Sequence, residues 1–211
     1  MVVGFKIEPK QTLIILDEIQ ECKEALNSLK YFEESDSAYH IVGAGSLLGV
    51  TLGNQASFPV GKEDFLEMYP LTFLEFLEEK DVEMERYIYS ISELSPIPDF
   101  FFNRILENFR LYSLSGGMPE PAREMAETGD LKRVEELLAN INLSYQLDFS
   151  KHVAAKDIQK ISYIWDSIPS QLGKENKKFL FQVVKPGARA REFEDALVWL
   201  IQAGLVYKVS E

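Results

Sequence analysis

The hydrophobic positions near the N-terminus follow two patterns, a short continuous run and a helical stripe. Residues 12–16 (Thr-Leu-Ile-Ile-Leu) form a run too short for a helix, which predicts a strand buried on both faces of a parallel sheet. Apolar residues then recur every three or four positions and predict one helix with a single stripe: Ile19, Cys22, Leu26, Leu29 and Phe32. Residues 39–42 (Tyr-His-Ile-Val) predict a second strand, so this segment is a βαβ unit with a right-handed crossover.

The middle of the chain is predicted to be helical after one more strand. Residues 65–69 favour a third strand that stops at Pro70, because the residue before a proline is driven away from the helical region. Helical spacing then predicts three helices and one turn: helices at 71–79, 98–114 and 131–141, the last beginning at the Gly129-Asp130 cap, and a Ser-Gly-Gly-Met-Pro turn at 115–119.

The C-terminal pattern predicts three helices followed by a strand. The first helix begins near Asp157 and is closed by Pro169, the second lies within 172–184, and the third runs over 188–203 to Gly204. Residues 205–209 predict a strand. This order is the outline of a winged helix, with half of its hairpin beyond the last residue. The fold class predicted for the whole chain is α+β and mostly helical.

Composition restricts the class of protein. The chain has 211 residues, of which 46% are hydrophobic and 27% charged, which excludes a disordered tail and a disulfide mini-protein. Cys22, the single cysteine, with His40 and His152 supplies neither a disulfide nor a Cys/His zinc or catalytic set. No apolar run approaches the roughly 20 residues of a membrane span, and residues 1–6 lack a signal-peptide pattern. We expect a soluble, cytoplasmic protein with no membrane partner.

Charge is divided unevenly along the chain. The formal net charge of −12 argues against a surface that is coated with nucleic acid throughout. Residues 62–93 contain 10 acidic and 3 basic side chains, whereas residues 151–191 contain 9 basic and 3 acidic ones. These two segments are expected to face different partners, or each other.

The sharpest chemical signal is the pair Asp17-Glu18, which directly follows the first predicted strand. Open α/β sheets place ligands at the carboxyl ends of their strands. In P-loop ATPases this position is the Walker B motif, in which the Asp holds magnesium through water and the Glu polarises the attacking water. A pair of solvated acids that cap the following helix is the plain alternative.

Further segments, in order along the chain, resemble a large family of prokaryotic AAA+-type ATPases, mostly uncharacterised, with a C-terminal domain of unknown function. The matching segments lie at 12–20, 29–32, 43–49, 57–62, 69–76, 116–119, 164–169 and 203–205. The resemblance implies a partial AAA+ core at 1–70, a remnant of a P-loop ATPase core, then a helical lid at 71–150 and a winged-helix-like domain at 151–211. It also implies Mg and ATP as cofactors of the parent protein.

The same family resemblance implies two further site residues, with weaker support than Asp17 and Glu18. A sensor-1 residue is expected at the tip of the second strand, where Ala44 follows the glycine and the polar contact falls to Ser46. An ordinary turn or N-cap serine is the alternative for Ser46. Lys62 lies where relatives often carry a basic residue, usually Arg, that reaches a nucleotide in a neighbouring subunit, as in a homo-oligomer. A loop lysine is the alternative.

The phosphate-binding loop of this family has no counterpart in the sequence. Nothing matches G-x-x-x-x-G-K-[ST], since Gly61-Lys62 and Gly173-Lys174 are both followed by Glu. Only 16 residues precede Asp17, too few for a strand, a loop and a helix. The chain is therefore expected to be a fragment that lacks its N-terminal P-loop portion, with no cofactor bound to it.

A second class of function rests on the basic C-terminal residues. Lys185, Arg189 and Arg191 surround the predicted recognition helix and would contact DNA phosphates or a protein partner. Under this alternative the chain is a complete P-loop-less adaptor that binds DNA or protein through its winged helix. Two further interpretations of these basic residues need no nucleic acid. They form a solvated basic face, or a surface that binds the acidic segment 62–93 of the same chain.

Overall fold

A computed structural model describes residues 7–34, 39–45, 64–153, 155–175 and 178–209. The chain divides into two compact units, one formed by residues 1–65 with 154–211 and the other by residues 66–153. The described part is mostly helical with one small parallel sheet, which confirms the α+β class. None of the helices in these ranges is long and apolar enough to cross a membrane.

The N-terminal segment contains the predicted pair of parallel strands. Strand β1 (Leu13–Leu16) pairs in parallel with β2 (His40–Gly43), and Leu13 lies opposite His40. Between them come a 3-10 turn (Ile19–Glu21) and helix α1 (Lys23–Glu34). The single helix predicted from Ile19 was therefore wrong at its start, because Cys22 has an extended backbone that separates the turn from α1.

The expectation that β1 is buried on both faces was also wrong. Leu13 and Ile15 are 55% and 62% exposed, and Val42, opposite Ile15 on the same face, is 48% exposed. Ile14 and Leu16 on the other face are half-buried. Among the described residues the sheet has two strands, and only one of its faces is covered by other residues. The apolar run therefore indicates strand propensity and not burial on both faces.

The second unit is a group of five helices around one apolar core. The helices are α2 (Phe73–Lys80), α3 (Val82–Ser90), α4 (Asp99–Ser115), α5 (Pro119–Glu127) and α6 (Leu131–His152). Phe76, Ala122, Met125 and Val134 form the buried centre of this core. The helices predicted at 71–79 and 98–114 are confirmed within a few residues, whereas the helix predicted at 131–141 is confirmed at its start and continues to His152. Asp130 caps α6 as predicted, since its carboxylate accepts hydrogen bonds from two backbone N–H groups.

An ion-pair network fixes the corner between α2 and α3. Asp81 ends α2 and caps α3, and its carboxylate accepts two hydrogen bonds of 2.7 Å from the Arg104 guanidinium of α4. Asn108 donates to the same carboxylate at 2.9 Å. These bonds with Asp81 raise the pKa of Arg104. The Asp81 side chain is 10% exposed and the Arg104 side chain 37% exposed, so the carboxylate is shielded from water more than the guanidinium is.

Two predicted strands are absent from the described residues. Residues 65–69 have no regular structure, and Leu66 and Met68 are 88% and 89% exposed. Residues 205–209 likewise form turns and irregular backbone. A strand needs a neighbour for its backbone groups, and no pairing with either segment occurs in the described ranges. The wing of the predicted winged helix is therefore not formed there.

The C-terminal helices are α7 (Ala155–Leu172), α8 (Phe181–Val184) and α9 (Ala190–Gln202). The prediction that Pro169 closes the first helix was wrong, because α7 continues to Leu172. Gln171, which is buried, explains the extension: its amide donates to the Leu180 carbonyl and accepts from the Leu180 N–H. Tertiary hydrogen bonds thus hold the last turn despite the proline. Helix α9 ends at Gln202, and Gly204, the glycine predicted to stop it, follows two residues later with φ 70°.

Candidate functional site

The predicted acidic pair lies at the carboxyl end of β1, against the residues that follow β2. Asp17 and Glu18 are both exposed. The Ala44 N–H donates to the Leu16 carbonyl at 2.9 Å, and the Ile19 N–H donates to the Ala44 carbonyl at 3.0 Å. These two bonds extend the contact between the strands past the sheet. The carboxylates therefore stand at the edge where parallel α/β sheets bind their ligands.

The backbone of Glu18 has a left-handed conformation, with φ 48° and ψ 45°. A non-glycine residue is strained there by roughly 1 to 2 kcal/mol, so the surroundings must hold it. The Glu18 N–H donates to Asp17 Oδ1 at 3.1 Å, and Ile19 is buried with 2% of its surface exposed. Ile19 packs so closely against Gly43 that a Cβ on that glycine would lie 3.0 Å from Ile19 Cδ1.

Gln20 adds a side-chain contact to this turn. Its Nε2 donates a hydrogen bond to Glu18 Oε2. Its Oε1 is buried and has no hydrogen-bond partner among the described residues. Sequence reasoning did not single out Gln20 as a site residue. The sequence feature that could have identified Gln20 is its position two residues after Glu18, within the segment 12–20 that resembles the AAA+-type family.

The chemistry open to this site is that of two adjacent carboxylates. Carboxylate oxygens are ligands that Mg²⁺ accepts, and both side chains are exposed to solvent. No group of three or more His, Cys, Asp or Glu side chains suited to a metal ion occurs among the described residues. Asp17 and Glu18 therefore supply two carboxylates that could hold a hydrated Mg²⁺ ion.

The other predicted residues of the nucleotide site, Ser46 and Lys62, lie outside the described residues. The structure therefore tests neither the sensor assignment nor the basic-finger assignment. The turn predicted at 115–119 does lie between α4 and α5, with φ 66° at Gly116.

The three basic residues predicted for DNA or partner contact lie around the start of α9. Lys185, Arg189 and Arg191 are all exposed. Arg189 is the residue before the first turn of α9, and its N–H donates to the Glu192 carboxylate at 3.4 Å. The same part of α9 also exposes three carboxylates, those of Glu192, Glu194 and Asp195.

A cleft of about 430 Å³ opens between α7, the turn after α8 and α9. Lys185 Nζ stands 5.6 Å from the centroid of the Tyr163 ring in this cleft. Lys160 also lines it and forms an ion pair of 3.1 Å with Asp157. Glu192 lines the same cleft, which therefore combines two lysines with a carboxylate and apolar side chains, and one of the lysines is already paired with Asp157.

Two family models match the chain, and they match different parts of it. A model described as an AAA domain matches residues 2–77, which contain β1, β2 and the acidic pair. A model described as a domain of unknown function, DUF8612, matches residues 106–211. No curated protein and no solved structure matches the chain. The DUF8612 match covers half of the chain, preceded by AAA-type sequence, and this protein belongs to the family that this domain of unknown function defines.

Proposed function

We propose that this chain is the part of an AAA-type ATPase that supplies the metal-binding and water-activating carboxylates. Asp17 would hold the magnesium of bound ATP through water, and Glu18 would orient the attacking water. The observation that carries the proposal is the position of both exposed carboxylates directly after β1, beside the end of a parallel neighbour, within the AAA-type match.

The phosphate-binding loop would come from outside these 211 residues. The sequence contains no G-x-x-x-x-G-K-[ST], so the backbone donors and the lysine that hold the β- and γ-phosphates must be supplied by another segment or chain. The genomic sequence immediately upstream of Met1 provides a direct test. An in-frame P-loop supports the proposal, whereas a stop codon and a promoter there support the adaptor alternative.

A consequence of this proposal is that the 211-residue chain alone does not bind ATP. Asp17 and Glu18 repel a triphosphate at neutral pH unless magnesium bridges them, and magnesium on one or two carboxylates is weakly held. A site with Kd of about 1 mM would add roughly 1 kcal/mol at about 5 mM Mg-ATP, a melting shift of about 2 to 4 °C for a chain of this length. We expect no shift relative to magnesium alone. A reproducible rise that is lost in Asp17→Ala would contradict the fragment proposal.

Hydrolysis in the P-loop-containing protein tests the roles of the two carboxylates. Glu18→Gln keeps the side-chain size but removes the charge that orients water, so ATP should still bind while turnover falls by about 100-fold or more. Asp17→Asn should instead weaken magnesium-dependent binding. Turnover of Glu18→Gln within twofold of wild type would remove Glu18 from this role.

The adaptor alternative is favoured by one observation, the exposure of Lys185, Arg189 and Arg191 around the start of α9. The neighbouring carboxylates of α9 reduce its attraction to phosphate, so any DNA binding would be non-specific and no tighter than roughly micromolar at physiological salt. A gel-shift titration of duplex DNA over a range of salt tests it. Retention of DNA at low salt, abolished when Arg189 and Arg191 are both changed to Glu, supports this alternative. Absence of retardation at low salt excludes DNA binding and leaves this basic surface as a contact with another domain or a protein partner.

A further inference from the structure

The Glu18 carboxylate receives a hydrogen bond from a side chain two residues later in the chain. Gln20 Nε2 donates to Glu18 Oε2, and both residues belong to the turn that follows β1. In the described part of the chain this is the side-chain hydrogen bond that reaches the Glu18 carboxylate. Because one carboxylate oxygen is engaged by the amide, the second oxygen is left to face solvent.

The backbone beneath this contact is already fixed by other groups. The left-handed conformation of Glu18 is held by the buried side chain of Ile19 and by the Ile19 N–H bond to the Ala44 carbonyl. Strain of this kind persists where the surrounding structure determines it, and it is concentrated at functional sites. With the backbone fixed, the direction of the Glu18 side chain depends on what holds its carboxylate.

The orientation of the Gln20 amide is itself unfavourable for stability. Its Nε2 faces the carboxylate, so its Oε1 points the other way, where it is buried without a partner among the described residues. A buried oxygen that lacks a hydrogen bond destabilises the folded state. Reversing the amide would place Oε1 against the negatively charged Glu18 oxygen. Glu18 therefore holds the amide in this orientation, although Gln20 Oε1 then has no hydrogen bond among the described residues.

We propose that Gln20 is a positioning residue for Glu18, an inference that rests on the proposed ATPase function. The Gln20 amide holds Oε2 and thereby fixes the rotation of the carboxylate, so that Oε1 of Glu18 is aimed at the attacking water. General-base catalysis requires a fixed geometry of this kind, since a displacement of about 1 Å can reduce a rate by about 100-fold. Gln20 acts through Glu18 and does not itself contact the nucleotide.

The contact is tested first in the isolated 211-residue chain by NMR of the side-chain amides. The Gln20 NH₂ resonances should be shifted and slowly exchanging in wild type, and this signature should be lost in Glu18→Ala. Asp17→Ala is the matched control and should retain it, because the Asp17 carboxylate accepts from the Glu18 N–H and not from Gln20. Identical Gln20 NH₂ resonances in wild type and Glu18→Ala would overturn the inference.

A kinetic cycle in the P-loop-containing protein tests the role in catalysis. Gln20→Leu should lower kcat by about tenfold and leave KM within twofold, since the lost interaction matters for hydrolysis and not for binding. Gln11→Leu, at an exposed glutamine just before β1, is the matched control and should leave both unchanged. In a Glu18→Gln background, Gln20→Leu should have no further effect, because both changes act on one carboxylate.

The outcomes separate the inference from the proposed function. Normal turnover in Glu18→Gln overturns the proposed function. A large loss in Glu18→Gln with normal kcat in Gln20→Leu overturns the positioning role alone, as does a Gln20→Leu loss that persists in full in the Glu18→Gln background. A purely structural role would lower the melting temperature, whereas Gln20→Leu removes a buried unsatisfied oxygen and should melt no lower than wild type.

Discussion

Gly117 lies where two backbone segments of the helical unit approach too closely for any side chain. A Cβ at this position would lie 2.3 Å from the Leu71 carbonyl oxygen and 2.9 Å from Pro70 Cβ. The Leu71 N–H also donates to the Gly117 carbonyl at 2.7 Å. Gly117→Ala therefore forces the turn between α4 and α5 away from the start of α2. Gly116 is the matched control, because a Cβ there would meet nothing within 4 Å.

The cost of Gly117→Ala follows from the contacts that this movement breaks. The new Cβ and the Leu71 carbonyl oxygen must move apart by roughly 1 Å to reach an ordinary van der Waals distance. Such a displacement breaks the Leu71–Gly117 hydrogen bond and strains the bond from the Tyr112 hydroxyl to the Leu71 carbonyl, now 2.7 Å. It also draws Leu71 away from the core that it packs against. The expected loss is about 2 to 4 kcal/mol of unfolding free energy.

Gly116→Ala should destabilise by less, about 1 to 2 kcal/mol, because its only penalty is the positive φ of 66°. Urea denaturation of the full chain, followed by far-UV circular dichroism, measures both variants against wild type. The reasoning predicts that Gly117→Ala is the less stable of the two. If Gly117→Ala is within about 0.5 kcal/mol of wild type, or is more stable than Gly116→Ala, the close backbone approach does not exist in solution.

Three further substitutions test other features by the same urea measurement. Glu18→Gly should be about 1 kcal/mol more stable than Glu18→Ala, because glycine accepts the left-handed backbone without strain, and equal stabilities would show that Glu18 is not left-handed. Asp81→Ala should cost about 2 to 3 kcal/mol, because it removes a helix cap and the carboxylate that accepts from Arg104 and Asn108. Glu83→Ala, at an exposed carboxylate, should change stability by less than about 0.5 kcal/mol, and equal effects of the two substitutions would contradict the network. Gln171→Leu should cost about 2 kcal/mol, because the Leu180 N–H and carbonyl lose their partners, and an unchanged midpoint would refute that contact.

Local sequence pattern determined those features that depend only on neighbouring residues. Short-range signals predicted the parallel strand pair, the placement of Asp17 and Glu18 after β1, the Asp130 cap and the end of α9 just before Gly204. Apolar spacing, cap chemistry and the freedom of glycine at positive φ act within a few residues, so a single sequence contains enough information to locate them.

Tertiary structure decided whatever depends on a distant partner. Residues 65–69 have the composition of a strand but belong to no sheet in the described ranges. Helix α7 continues past Pro169 to Leu172, where the Gln171 side chain is hydrogen-bonded to the backbone of Leu180. The exposure of Ile15 could not be read from its apolar neighbours, since burial depends on what packs above the sheet. The contact of Gln20 with Glu18 likewise depends on a left-handed backbone that the buried Ile19 and the Ala44 carbonyl impose, and no local propensity encodes that conformation at a glutamate.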